Sequence, residues 1–467
     1  MNGTASSNLR AAGRRLRFQS FLALACVLVA CSDDAGGDMD AATAGAPAAG
    51  SSGGMAGSAG MLAGGSGGAS GGAGVNAAGD GGGAAGRASA GAGGTGGVGG
   101  TAGMSGAAGM AATSGTGGTA GGAGTAGTPG VRWVGRVDAT DPNAVKFAWQ
   151  GAGLVANVQG KSVAVKLRTE GTDTVFFQPV IDGKLATRFE VKSGGDKTIA
   201  LGSNLTDGDH LVELYRDTEG MYGVSTFLGF TSGTLKAPPA SSGRLIEVVG
   251  DSISAGYGNL GSEPHPAPNW AANPACHWSA ANSSWFQTYA SVAGRKLNAE
   301  VSTIARSGWG MYRDGSGDTS GVLAALYDHE LGTAAEPAFA FEPKASAVVI
   351  NLGTNDWAKG DPGKPYEDAY VDFLETVRTE YPNAFIFVTI GSMLSDPALT
   401  QVKTRLQAVV ATRAAAGDTK VVMFDLGIQP LGANGETPTG CDWHPNAADH
   451  ARMAGLFETQ LKAKLGW

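Results

Sequence analysis

Between Ser32 and Gly130 the chain runs for 99 residues mainly on glycine, alanine, serine and threonine, with no Phe, Trp or Tyr. Its only charges are Asp33, Asp34, Asp38, Asp40, Asp80 and Arg87, and it holds 38 of the chain's 77 glycines. Such a stretch cannot bury enough apolar surface to offset the entropy of ordering it. The glycines also lack the strict period of three that a collagen helix needs. A single fold over all 467 residues is therefore excluded. What remains for folding is Val131 to Trp467, enough for one large domain or two modest ones.

The segment ahead of this stretch reads as a targeting signal. Arg14, Arg15 and Arg17 are followed by an apolar run from Phe21 to Ala30, too short to span a bilayer as an ordinary helix. The run ends in Leu28-Val29-Ala30-Cys31, which resembles the bacterial lipobox, whose cysteine is lipidated and becomes the new N-terminus. Residues 1–31 are thus expected to be a lipoprotein signal and 32–130 a flexible tether with a reach of about 55 Å. Ser32 after the cysteine favours the outer membrane or cell surface, with membrane contact only through the lipid. The formal net charge of −8 argues against a nucleic-acid partner, since phosphate contacts need a basic patch.

From Val131 to Pro239 the pattern is short and strand-like. Ser162–Arg168, Val175–Ile181, His210–Arg216 and Val224–Phe230 alternate or are rich in β-branched and aromatic residues. Turns at Asp182-Gly183, Gly194-Gly195-Asp196 and Asp207-Gly208-Asp209 separate them. An antiparallel sandwich is expected. Ala237-Pro238-Pro239-Ala240 marks a boundary. Beyond it, from residue 240 to 467, buried strands at Leu245–Val249, Glu300–Ile304, Ala347–Leu352, Phe385–Ile390 and Lys420–Phe424 alternate with helices. The helices are predicted at Ser284–Leu297, Ser320–His329, Tyr366–Glu380, Ala398–Ala415 and Asn446–Leu465. That alternation predicts an α/β domain with a parallel sheet covered on both faces. Ligands bind such sheets beyond the carboxyl ends of the strands.

Four short motifs stand there. Gly250-Asp251-Ser252-Ile253 follows the first strand, Arg306-Ser307-Gly308-Trp309-Gly310 the second and Gly353-Thr354-Asn355-Asp356 the third. Cys441-Asp442-Trp443-His444-Pro445 precedes the last helix. Each alone is an ordinary turn or cap. Together they supply a hydroxyl, a base and two N–H donors, which is what acyl transfer requires. No pair of His or Cys at metal-binding spacing occurs, and no cofactor or metal is expected.

The order Ser, Gly, Asn, His resembles the SGNH (GDSL-like) hydrolase superfamily. With a preceding sandwich, the block Ile246 to Gly258 and Asp442-Trp443-His444-Pro445, the chain is similar to carbohydrate esterase family two. The resemblance implies a flavodoxin-like three-layer domain behind a jelly-roll domain. It implies a serine esterase removing acetyl groups from polysaccharides such as xylan or glucomannan. Rival readings are an esterase of small or lipid esters and a surface carbohydrate-binding protein with a vestigial site. Carried over, Ser252 is the nucleophile and His444 the base, and the N–H groups of Ser252 and Gly308 with the Asn355 side chain form the oxyanion hole. The superfamily's usual Asp lies three residues before the His, where this chain has Cys441. Either Asp442 or a main-chain carbonyl then orients His444. Trp309, Trp357 and Trp443 are candidates for lining a sugar cleft, against core packing as the alternative, and Asp356 for fixing its own turn. Cys276 and Cys441, the two cysteines outside the signal, form a disulfide or remain separate buried thiols. As a disulfide they would brace the histidine loop.

Overall fold

The computed structural model describes residues 130–263, 276–277, 279–333, 338–431 and 437–467. The signal segment, Cys31 and the tether before residue 130 lie outside the described residues.

The first nine strands are β1 (Val131–Val134), β2 (Val145–Phe147), β3 (Gly153–Glu170), β4 (Val175–Ile181), β5 (Lys184–Leu185), β6 (Phe189–Val191), β7 (Gly194–Ser203), β8 (Asp209–Arg216) and β9 (Val224–Lys236). All pair antiparallel and make the expected sandwich. The 18-residue β3 carries the architecture: its first half pairs with β8 and its second half with β7, while β9 follows it through several register shifts. Those shifts bend both strands, so that Val158, Val165, Leu167, Phe177, Val212 and Phe227 meet in one apolar core. Gly194-Gly195-Asp196 is not a turn but the start of β7. There it pairs with the end of β3, where local turn chemistry yields to ladder bonding.

The second half holds β10 (Leu245–Gly250), β11 (Glu300–Ala305), β12 (Ala347–Asn351), β13 (Phe385–Thr389) and β14 (Val421–Met423). Its helices are α1 (Ser252–Ala255), α2 (Tyr289–Lys296), α3 (Lys364–Glu380), α4 (Ala398–Ala415) and α5 (Ala447–Leu465). The five strands are parallel in the order β11-β10-β12-β13-β14, the flavodoxin-like arrangement. Because side chains alternate along a strand, Val348 and Ile350 of β12 join a core under α3 and α4, whereas Ala347 and Val349 join the opposite core under α2 and α5. The result is three layers. The expected helix at 320–329 is instead one short turn at Leu323–Leu326, with Leu323, Leu326 and Tyr327 buried; its apolar residues serve packing without helical continuation.

The two halves are joined by buried polar contacts. Arg136, just after β1, donates from Nη2 to Glu247 Oε2 of β10 at 3.2 Å, and Tyr381 Oη donates to the same oxygen at 2.8 Å. A buried ion pair contributes little net stability but penalises misplacement, since either partner alone is an uncompensated charge.

Candidate active site

β10 lies between its neighbours β11 and β12, so the loops after these three strands converge on one edge of the sheet. Asp251 caps α1, its Oδ1 accepting from Ile253 N–H at 3.0 Å. That capping bond sets Ser252 at the first helical position. A side chain at Gly250 would collide with Ser254, so the strand must end in glycine for the turn to close. Burial, aided by the charge of Asp356, pushes the Asp251 carboxyl up to about 7.

His444 meets the nucleophile candidate directly: Nε2 lies 2.8 Å from Ser252 Oγ. Its Nδ1 lies 3.0 Å from the Asp442 carbonyl oxygen. With the proton on Nδ1, the ring donates to that carbonyl and Nε2 accepts the serine proton. Of the two ways left open for orienting the imidazole, the contact falls on the main chain and not on the carboxylate. The physical cause is local: Asp442 (φ 50°) and Trp443 (φ 62°) are both left-handed, which is costly for non-glycine residues. Two such residues in succession fold the carbonyl back toward the ring. The Asp442 carboxylate is engaged elsewhere, accepting from Tyr257 Oη at 2.7 Å and facing His277 Nδ1 at 3.1 Å. The Tyr257 ring also packs on the imidazole with centroids 4.2 Å apart. Cys441 is disulfide-bonded to Cys276, with Cα atoms 4.8 Å apart, so the strained loop is covalently tied to the segment beyond α1. Desolvation pulls His444 down to about 4, against the raising influence of the Asp442 carbonyl and charge.

The remaining candidates stand on the loops after β11 and β12. Gly308 (φ +82°) is exposed, with open space where a Cβ would be; a positive φ there needs glycine. Asn355 donates one Nδ2–H to Trp309 O at 2.8 Å, leaving its second amide proton for a ligand. Asp356, wholly buried, accepts from the N–H groups of Met311, Tyr312 and Arg313 at 2.9, 2.7 and 3.0 Å, and so pins the loop that carries Gly308. Burial pushes this carboxyl up, and the three N–H bonds oppose it.

The three tryptophans part company. Trp443 is 42% exposed beside His444. Trp309 is half-buried under the Arg306 guanidinium, 4.3 Å from its ring. Trp357 does not line the cleft: it is 6% exposed, edge-on to Tyr366, with its Nε1–H on Gln401 at 3.2 Å. It packs in the core that also holds Tyr366 and Val402. Tyr257, His277 and Glu219 are near-site residues that sequence reasoning did not single out. Tyr257 stands five residues after the serine, and His277 beside the bonded cysteine, so both had a local signal. Among the described residues no cluster of three His, Cys, Asp or Glu side chains is placed to hold a metal ion.

Residues 133–239 match the family model described as carbohydrate esterase 2 N-terminal, and 248–452 the GDSL-like lipase/acylhydrolase family. A solved structure of a family two carbohydrate esterase from Clostridium thermocellum, in complex with cellohexaose, superposes with a TM-score of 0.67 at 32% identity. That match covers 72% of this chain and all of that one. The chain belongs to carbohydrate esterase family two. Another relative is the cellulase/esterase CelE of Acetivibrio thermocellus, 33% identical over 336 residues; the match covers 71% of this chain but only 39% of that longer protein. An acetylxylan esterase/glucomannan deacetylase of Cellvibrio japonicus is 24% identical over 342 residues, covering 72% of this chain and 88% of the relative. The matched residues thus take in both the sandwich and the parallel-sheet domain.

Proposed function

We propose that this chain is a serine esterase that removes O-acetyl groups from polysaccharides such as xylan or glucomannan through an acetyl-enzyme. The observation that carries the reading is the hydrogen bond between His444 Nε2 and Ser252 Oγ, with Nδ1 held by the Asp442 carbonyl. Ser252 Oγ attacks the acetyl carbonyl while His444 takes its proton. The oxyanion that forms is met by the N–H groups of Ser252 and Gly308 and the free Asn355 amide proton. His444 then gives its proton to the departing sugar hydroxyl, and water activated by the same ring cleaves the acetyl-enzyme. Trp443 offers an exposed ring for a sugar face beside the base. The named activities of the relatives supply the substrate class.

The targeting reading belongs here too. Cys31 is the lipidated residue of an exported lipoprotein, and the 32–130 tether lets the esterase search a polysaccharide surface from an outer-membrane or cell-surface anchor. Mass spectrometry of the mature N-terminus decides this: an unmodified terminus anywhere but Cys31 defeats it.

The test of the enzymatic reading is acetate release from acetylated xylan, glucomannan and small esters. Ser252→Ala is expected to lower turnover by at least ~10³-fold, to whatever the hole and binding alone supply. Unchanged acetate release in that variant would sink the assignment, and long-chain esters turned over better than acetyl-polysaccharide would replace it with a lipase.

A further inference from the structure

The exposed N–H of Gly308 has no side chain of its own to hold it, so its position depends on its neighbours. On one side stands the Asp356 carboxylate, which pins residues 311–313. On the other stands Ser307, whose backbone N–H donates to Glu219 Oε2 at 2.9 Å and whose hydroxyl donates to Glu219 Oε1. Glu219 belongs to the sandwich, 88 residues away in sequence. It is 2% exposed. Burial pushes its carboxyl up, while the Ser307 bonds and the charge of Arg306 pull it down.

The turn that presents Glu219 is itself built rigidly. Arg216, wholly buried at the end of β8, donates to Thr218 O at 2.9 Å, to Glu219 O at 2.8 Å and to Ser225 Oγ at 2.8 Å. Asp217 in the same turn accepts from Phe286 N–H at 2.8 Å and Ser284 Oγ–H at 2.9 Å. Ser284 N–H in turn donates to Gly256 O, just behind the nucleophile's helix, at 3.0 Å. One sandwich turn therefore grips the segment behind Ser252 with Asp217 and the loop before Gly308 with Glu219. A buried carboxylate is costly to desolvate, and an apolar residue would pack this turn at lower cost. What the carboxylate adds is a fixed place for Ser307.

We infer that Glu219 is a positioning residue for the esterase reaction: the sandwich domain completes the oxyanion hole by clamping Ser307, and is not only a module beside the catalytic domain. This rests on the esterase reading of the same site. Hole donors act through exact placement where charge develops, so loosening Ser307 should cost turnover and spare substrate binding.

The experiment measures kcat and KM on p-nitrophenyl acetate, which needs the hole but not the polysaccharide cleft, alongside amide hydrogen exchange of residues 305–310. Glu219→Ala is expected to lower kcat about 10²-fold, leave KM within about threefold, and speed exchange in that loop while the sheet stays protected. Glu219→Gln keeps a carbonyl for Ser307 N–H and is expected to recover kcat to within about tenfold of the parent. Should Glu219→Ala fail to fold, Glu219→Asp withdraws the carboxylate by one methylene and is expected to give the same kcat loss at unchanged KM. Parent-like kcat per folded molecule, or unchanged loop exchange, in the Ala or Asp variant overturns the inference. A parent protein that hydrolyses no ester overturns the esterase reading instead, and loop exchange then still decides whether Glu219 anchors Ser307.

Discussion

The two walls of the site are held by different means. On the histidine side the orienting contact is short-range in the chain: His444 bonds to the carbonyl two residues before it, and the strained pair Asp442-Trp443 makes that bond possible. A disulfide and the Tyr257 ring brace the strain. On the proposed oxyanion side the donors are mostly backbone N–H, and the anchors are buried carboxylates from far away. Asp356 reaches back 43 to 45 residues along the chain to residues 311–313, and Glu219 reaches across 88 residues from the other domain. A side chain can be steered by its own neighbours and ring contacts. A backbone donor has no such handle, and must be fixed by tethering the residues that flank it.

The contrast can be broken first at the oxyanion wall. Asn355→Ala removes the proposed side-chain donor there and is expected to lower kcat by ~10²–10³-fold with little change in KM; a KM increase at constant kcat would reassign Asn355 to ground-state binding. On the histidine wall the covalent brace should matter for stability more than for chemistry. Replacing both Cys276 and Cys441 with Ser is expected to cost about 2–5 kcal/mol of unfolding free energy, read by denaturant titration. A loss below about 0.5 kcal/mol would mean that the loop holds its strain unaided.

The smallest effect is the most informative. Asp442→Asn keeps the carbonyl that accepts from Nδ1, so kcat should fall by less than about tenfold, against the ~10⁴ seen when a carboxylate is the orienter. The acid limb of kcat/KM sharpens the same point. Activity needs neutral His444, so it is lost as pH falls through that group's folded value, which desolvation has drawn down to about 4 from 6.5. The parent should thus stay active well below pH 6.5. Because the Asp442 charge raises His444, removing it moves the limb to still lower pH. A limb at or above 6.5 in the parent would contradict a desolvated histidine. The same depression gives His444 a contribution to stability that rises with pH between about 4 and 6.5, while Asp251, raised to about 7, contributes with the opposite sign.

Much of this was legible in the chain itself. Strand runs such as Val175–Ile181 and helix Ala398–Ala415 fall where the residue order puts them, because a buried strand is a continuous apolar run and Val402, Leu406 and Val409 recur at helical spacing. Tertiary packing overrode local signals elsewhere. The glycines at 194–195 joined a strand, the apolar residues near 323–327 sank into a core without making a helix, and Trp357 turned inward with them.

By itself, then, the sequence determined that a sandwich precedes a parallel α/β domain, and that Ser252, Gly308, Asn355 and His444 stand at strand ends and loops of one edge. Composition, period and motif order are local properties, and they suffice for that. Only the tertiary structure decided that a carbonyl and not a carboxylate faces His444, that Cys276 lies against Cys441, and that Glu219 reaches Ser307. Each of those is a contact whose distance depends on backbone path, and no spacing along the chain encodes it.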